Sequence, residues 1–348
     1  MKIILISALT LTIFAGSCTA EPRQELFDAV VTFIMNKVEK SMGTAWKPAK
    51  LMDEIDASMV LKTGNKSKAE LNVNNKYRLM LSEDTLFVPA LLSKNETRFE
   101  LKKGTIFARI KKLLKNEKFT IMTPSLVIGV RGTDFIVHAS ENKVRLAVRE
   151  GAVNVRLHLK SLETALKHSH PSVQAFARKV ANGVQVLGFE SVEFSMDTIK
   201  KMDELISQIN PANIESQLKT LSQMSELIKT QALTSDFTEG LLYFSRFPDT
   251  EMKKMKPITL NAGIPQAEIL INNEKAGEGL YARLFFPGKY QFQFKYKQFM
   301  HTVIKEIPDS DFQPETITAP FNQEMLRQNT GRRQAGYYEA NPEDRAAN

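Results

Sequence analysis

A mainly β protein with a helical insert is the fold class this sequence predicts. Three observations carry it. From about residue 46 to 157, short apolar runs recur at spacings of about ten residues, with Gly, Asn, Pro or Ser-Glu at the breaks. From 158 to 247 the apolar period lengthens to that of amphipathic helices. From 257 to 307 strict alternation returns, as in Tyr290-Gln291-Phe292-Gln293-Phe294-Lys295-Tyr296. Many short strands with turn residues between them predict a sandwich, barrel or β-roll.

The first element, residues 1–20, reads as a signal peptide. Lys2 precedes the apolar run IILISALTLTIFAG and the small residues of SCTAE. The run is shorter than the roughly 20 residues of an ordinary membrane-spanning helix. Two cleavage readings stand. Ala15-Gly16-Ser17-Cys18 resembles a bacterial lipobox, which would make Cys18 the lipidated first residue and a membrane anchor; Cys18-Thr19-Ala20 also fits ordinary cleavage before Glu21. The lipoprotein reading is favoured. Cys18 is the only cysteine, so the exported chain has no disulfide and depends on packing.

Residues 21–45 hold ELFDAVVTFIMNKVEKSM, whose Leu26, Ala29, Val30, Phe33, Ile34 and Val38 follow helical spacing and predict an N-terminal helix. The strand-rich stretch 46–157 follows. Its alternation of Leu71 and Val73 with Asn72 and Asn74 predicts one buried and one wet face. Inside it, RIKKLLKNEK would form a hairpin tip between TIFARI and FTIMT. Its Arg109, Lys111, Lys112, Lys115 and Lys118 form either a solvated turn or a contact to anionic lipid or wall polymer.

The segment 158–247 is mainly helical, with Pro171 opening one helix, Gly183 near its end, and a short strand near 183–195. Two amphipathic helices follow, with Asp197 as the N-cap of the first and Asn210-Pro211 between them. Their short near-heptad spacing suits a packed hairpin. Residues 257–307 are strands. YQFQFKY packs into a core or adds to a partner's sheet edge. Residues 309–348 are polar, predicting a disordered tail dispensable for folding.

TPSLVIGVRGTDFIV, residues 123–137, places Gly129, Arg131, Gly132, Thr133 and Asp134 between two apolar strands. Glycine admits positive φ and close backbone approach, so the glycine pair predicts a bulge or corner. Thr133 and Asp134 can hold it by hydrogen bonds to the local backbone. A phosphate-cradling loop would open a helix and carry Gly-Lys-Ser/Thr; here a strand follows. The loop is read as a structural turn, with recognition of an anionic ligand by Arg131 as the competing reading.

The formal net charge of +8 favours anionic neighbours, and no nucleic-acid-binding signature occurs. His168 and His170 are two apart on a helical segment and do not share a face, which argues against a metal site. The hydrolase motifs G-x-S-x-G and H-E-x-x-H are missing, and Cys18 is lost or lipidated. No catalytic residue, metal ligand or cofactor is assigned.

Two resemblances complete the reading. LKTGNKSKAELNV (61–73), ELKKGTIFARI (100–110), KFTIMTPSLVIGVRGTDFIV (118–137) and VREGAVNV (148–155) make residues 46–157 resemble a FecR domain. The resemblance implies a β-rich extracytoplasmic module without catalytic residues. The members that give the family its name sense a siderophore-loaded transporter and signal across the inner membrane through a cytoplasmic segment. With one residue before Lys2, no such segment is expected here. Residues 257–307 resemble a PEGA domain, a small envelope β-sandwich, through Pro265 before AEILINN, Gly277 in a turn and Pro287-Gly288 before YQFQF. The leading functional expectation is a noncatalytic, periplasmic or outer-membrane-associated binding or scaffold protein. Its partner would be an envelope protein or a wall polymer or glycan, with no nucleic acid. The alternative is a sensory component working with a separate transmembrane partner, and the third is a glycan-active enzyme.

Overall fold

The computed structural model describes residues 29–226, 228–232, 255–308 and 313–321. The chain is mainly β with a helical insert, as the two periods of the sequence predict. The signal peptide expected over residues 1–20, with Cys18, lies outside the described residues.

In chain order the strands begin with β1 (Ala29–Met35), β2 (Val38–Ser41), β3 (Trp46–Pro48), β4 (Glu54–Ile55), β5 (Val60–Thr63), β6 (Lys68–Val73), β7 (Tyr77–Leu81) and β8 (Leu86–Leu92). Next come β9 (Glu96–Ile110), β10 (Lys118–Met122), β11 (Leu126–Val130), β12 (Asp134–Ala139), β13 (Lys143–Glu150) and β14 (Ala152–Leu157). The insert follows as α1 (Leu162–Leu166), α2 (Pro171–Asn182), β15 (Val184–Leu187), β16 (Glu190–Ser195), α3 (Met196–Ser207), α4 (Ile214–Glu226) and β17 (Gln231–Ala232). The C-terminal unit holds β18 (Lys256–Asn261), β19 (Glu268–Ile271), β20 (Glu274–Glu278), β21 (Leu280–Phe285), β22 (Gly288–Tyr296), β23 (Phe299–Ile307) and β24 (Glu315–Thr318).

Two sheets share the long strand β9. Its second half pairs with β7 and β12 in a sheet that continues through β6 and β1 on one side and β13, β16 and β17 on the other. Its first half pairs with β8 and, in parallel, with β10 in a second sheet running from β3 to β15. The runs TRFELKKG and TIFARI are thus one strand that changes sheets near Gly104. There φ is +97° and a Cβ would lie 2.4 Å from Thr85 Cα. Between the sheets lies the main core, including a chain of rings from Tyr77 through Phe119 and Phe99 to Phe87, with centroids 4.9, 5.6 and 5.0 Å apart. Val173, Phe176, Ala177 and Val180 of α2 join the same core.

The N-terminal helix expected over 21–45 is not what forms: Ala29–Met35 and Val38–Ser41 are strands. AVVTFIM is β-rich and buried on both faces, so its apolar residues satisfy helix spacing without requiring a helix. β1 pairs with β6 on one edge and with β4 and β21 on the other. The one-wet-face expectation for β6 is also corrected. Asn72 is buried, and Glu70 beside it accepts hydrogen bonds from Thr32 Oγ1 and Arg78 Nη2, both at 2.8 Å.

The C-terminal unit explains that burial. β21 pairs with β1, and β18 and β24 extend the same sheet. A third sheet, in the order β20-β19-β22-β23, packs against that extension. Phe33 and Met80 share a core with Ile258, Leu260, Phe292 and Phe294. Residues 257–307 therefore do not close a sandwich alone. YQFQFKY lies in the central strand β22, between β19 and β23, so it is not a free edge. The tail expectation is corrected in part. Residues 313–321 are ordered into β24, parallel to β18, with Ile317, Ala319 and Phe321 buried; the described structure ends there. The α3 N-cap is Ser195, whose Oγ accepts from Thr198 N–H, while Asp197 stands in the first turn.

Candidate functional site

Three turns meet where β11 passes into β12. Gly132 has φ +100°, and a Cβ on it would lie 2.8 Å from Lys112 Cα. Gly151 has φ +87°, and its Cβ would lie 2.5 Å from Gly132 O. Positive φ and close backbone approach therefore both require glycine at these two positions. Thr133 and Ile110 exchange backbone hydrogen bonds of 3.0 Å, and Thr133 Oγ1 donates to Ala152 O at 3.0 Å.

Asp134 is the electrostatic centre of this corner. It is 7% exposed. Its carboxylate accepts from Arg109 Nε at 3.1 Å and Nη2 at 3.0 Å, and also from Arg149 Nη2. Such forked, charge-assisted contacts hold planar groups in one orientation. The backbone register places Asp134 opposite both Arg109 and Glu150. Thr133 and Asp134 thus hold the corner, but through β9, β13 and β14 rather than through their immediate neighbours. Arg149 and Gly151 were not assigned from sequence. Their only signal was the run REGAV, whose closeness to RGTD is a matter of strand pairing.

Gly129 does not belong to the turn. It sits inside β11, opposite Thr120 and Asn154, with its nearest prospective Cβ contact at an ordinary 3.9 Å. Arg131, between the turn and the strand, is exposed.

The basic stretch 109–118 divides. Arg109 faces Asp134 and does not serve as a surface contact. The hairpin expected around RIKKLLKNEK is replaced by a crossover, because β7 and β12 already occupy both edges of the second half of β9. β10 instead pairs in parallel with its first half. In the crossover, Glu117 pairs with Lys76 and accepts from Leu114 N–H at 2.9 Å. The Lys76 ammonium holds the Glu117 carboxyl below the ordinary carboxylate range. Lys111, Lys112, Lys115 and Lys118 remain exposed.

The histidines lie apart from this corner. His138 Nδ1 is 2.8 Å from Thr105 Oγ1, and burial, then Arg145 and Lys143, push its pKa down. His168 Nδ1 accepts from His170 N–H at 3.0 Å. Among the described residues no group of three or more His, Cys, Asp or Glu could hold a metal ion. A cleft of about 490 Å³ between the helices is lined by Ser161, His168 and Asp203 among others. Ser161 is committed there, donating both its Oγ–H and its N–H to Asp203. A second cleft, about 600 Å³, lies between the Asn36 and Asn65 turns and the C-terminal unit.

The geometry of the corner sets a test. Gly132→Val is expected to destabilise the protein by roughly 1–3 kcal/mol, the scale of a strained backbone position. Arg131→Ala, at an exposed residue, should stay within about 0.5 kcal/mol of wild type. Urea denaturation of both measures the difference. A Gly132→Val chain as stable as wild type would contradict the packing against Lys112.

The profile of the FecR protein family matches residues 59–154, and this match includes the whole corner. No curated protein matches the chain. Among solved structures, the chain is similar to two crystal structures, each described as a candidate anti-sigma factor from Parabacteroides distasonis ATCC 8503. The first, at 13% identity, covers 54% of this chain and 90% of its own, with a TM-score of 0.31. The second, at 12% identity, covers 65% and 98%, with a TM-score of 0.31.

Proposed function

We propose that this chain is a noncatalytic, extracytoplasmic sensory or regulatory component of a cell envelope, acting through a separate transmembrane partner. The FecR match over residues 59–154 is the observation that carries the reading. It favours the sensory role, the alternative reading of the sequence, over the scaffold role that led there. The corner supports it in a negative sense: Gly132, Thr133, Asp134, Arg149 and Gly151 are used up in joining strands, so these residues are poorly placed for turnover.

No helix among the described residues is long and apolar enough to cross a membrane. The relay to the other side is assigned to a partner, with export by residues 1–20 and a lipid anchor at Cys18 as parts of the same proposal. The C-terminal unit, which keeps the Pro265 and Pro287-Gly288 features of the PEGA resemblance while Gly277 lies inside β20 rather than in a turn, is proposed as the second envelope module, joined to the first by β1–β21 pairing.

Cross-linking in intact cells with mass-spectrometric identification tests the proposal. The expected result is a membrane-spanning regulatory protein cross-linked through the FecR-like domain. Capture of wall polymer or glycan alone would return the reading to a scaffold. Hydrolysis of wall material by the purified chain would replace it with an enzyme.

A further inference from the structure

The turn between β15 and β16 carries the chain from the second sheet to the first and exposes two large apolar side chains. Leu187 is 48% and Phe189 72% exposed. Phe189 also has φ +65°, a conformation in which a bulky side chain is a genuine outlier. Glycine or asparagine would suit that position better, so the exposed ring is held at a local cost.

This turn lies against the corner described above. A Cβ on Gly188 would lie 3.3 Å from Arg149 O, and Phe189 N–H donates to Val148 O at 2.8 Å. From Gly151 the contacts pass to Gly132 and then to Lys112 Cα. Two residues beyond Lys112, Leu114 is 65% exposed. The FecR-like domain and the β15–β16 turn packed on it thus expose Leu114, Leu187 and Phe189 together with Lys112, Lys115 and Arg131 at this end of the molecule. Among the described residues these three cations have no ion pair. Of the nearby acids, Glu190 accepts from Leu187 N–H at 2.8 Å, Glu117 is paired with Lys76, and Glu150 is exposed.

We propose that this end of the molecule docks on an anionic membrane surface, with Leu114, Leu187 and Phe189 entering the interface and Lys112, Lys115 and Arg131 meeting lipid headgroups. Charge complementarity selects an anionic occupant. The apolar tips select lipid over an acidic polymer, because a polyanion offers them nothing to enter. Interfacial apolar groups sit about 5–10 Å into the headgroup and acyl boundary, within reach of side chains projecting from turns. The docking is independent of the Cys18 anchor and would set the domain's orientation on a membrane.

The test uses full-length chains, so any anchor is common to all variants. Trp46 is the only tryptophan, and Trp46→Phe with Phe189→Trp moves the reporter to the turn. Vesicles of phosphatidylglycerol with brominated acyl chains should quench that reporter, and brominated phosphatidylcholine vesicles should not. Quenching should fade in 1 M salt, where the Debye length is about 3 Å. Lys115→Gln and Arg131→Gln should each weaken vesicle affinity about five-fold. Leu187→Ser should weaken cosedimentation of the otherwise wild-type chain while leaving its melting temperature unchanged, which covers the case of a misfolded reporter. The proposal is overturned if both vesicle types quench equally, or if the wild-type Trp46 is quenched as strongly as the reporter. Charge-dependent binding to soluble polyglutamate without vesicle quenching would also overturn it, in favour of an acidic protein partner.

Discussion

A chain ended after Pro308 is expected to lose about 3–6 kcal/mol of stability. Ile317 and Phe321 are each more than nine-tenths buried, and burying such side chains contributes about 1.5–3 kcal/mol apiece. The loss is a large share of the roughly 5–15 kcal/mol that holds a typical domain folded. Truncation also strips Lys256 of Glu315, its ion-pair partner at 2.8 Å, and leaves a buried ammonium without it. Urea denaturation of the two chains measures the effect; melting within a few degrees of each other would show that β24 contributes nothing. Acid provides a second reading. Lys256 first, then Lys305, hold the Glu315 carboxyl below its ordinary value of 4.5. A depressed folded value means stability that is present above 4.5 and lost as pH falls through the folded value. Glu315→Gln should remove this acid-sensitive component, so its stability relative to wild type should recover as pH falls from 7 towards 3, a range spanning roughly the carboxylate region.

Asp134→Ala should cost about 2–4 kcal/mol, somewhat below the penalty for breaking a fully buried ion pair because both arginines keep partial access to water. The substitution leaves Arg109 and Arg149 facing one another across a space that held their shared anion. Arg149 Nε is already buried without a hydrogen-bond partner among the described residues, so this arginine has little to fall back on. Asp134→Asn keeps one accepting oxygen and should fall between wild type and alanine. Denaturation curves of the three proteins, with partner capture from envelopes beside them, separate structure from recognition. A stable Asp134→Ala chain that loses its partner would make the corner a recognition site.

Several parts of the molecule were legible because their signals are local. Pro171 and Gly183 bound α2 as their backbone preferences require. Gly132 takes the positive φ that its place between two apolar strands predicted. The misreadings share one cause. AVVTFIM fits helix spacing and strand propensity alike, and only pairing with β4, β6 and β21 decides between them. The Ile317, Ala319 and Phe321 alternation is three residues deep in a polar tail, too short to register until β18 offers it an edge. Arg109 looked like surface charge because its partner is 25 residues away in sequence.

The sequence by itself determined that this protein is mainly β with a helical insert, and that the chain turns at Gly132. Both follow from side-chain period and backbone preference, which act within a few residues. Only the tertiary structure decided that β9 serves two sheets, that the C-terminal unit shares a sheet with β1, and that RGTD closes on REGAV through Asp134. Only it set the Phe189 turn beside the basic crossover. The physical reason is that strand pairing is chosen by which edges and apolar faces remain open once the rest of the chain has packed, and no local pattern carries that information.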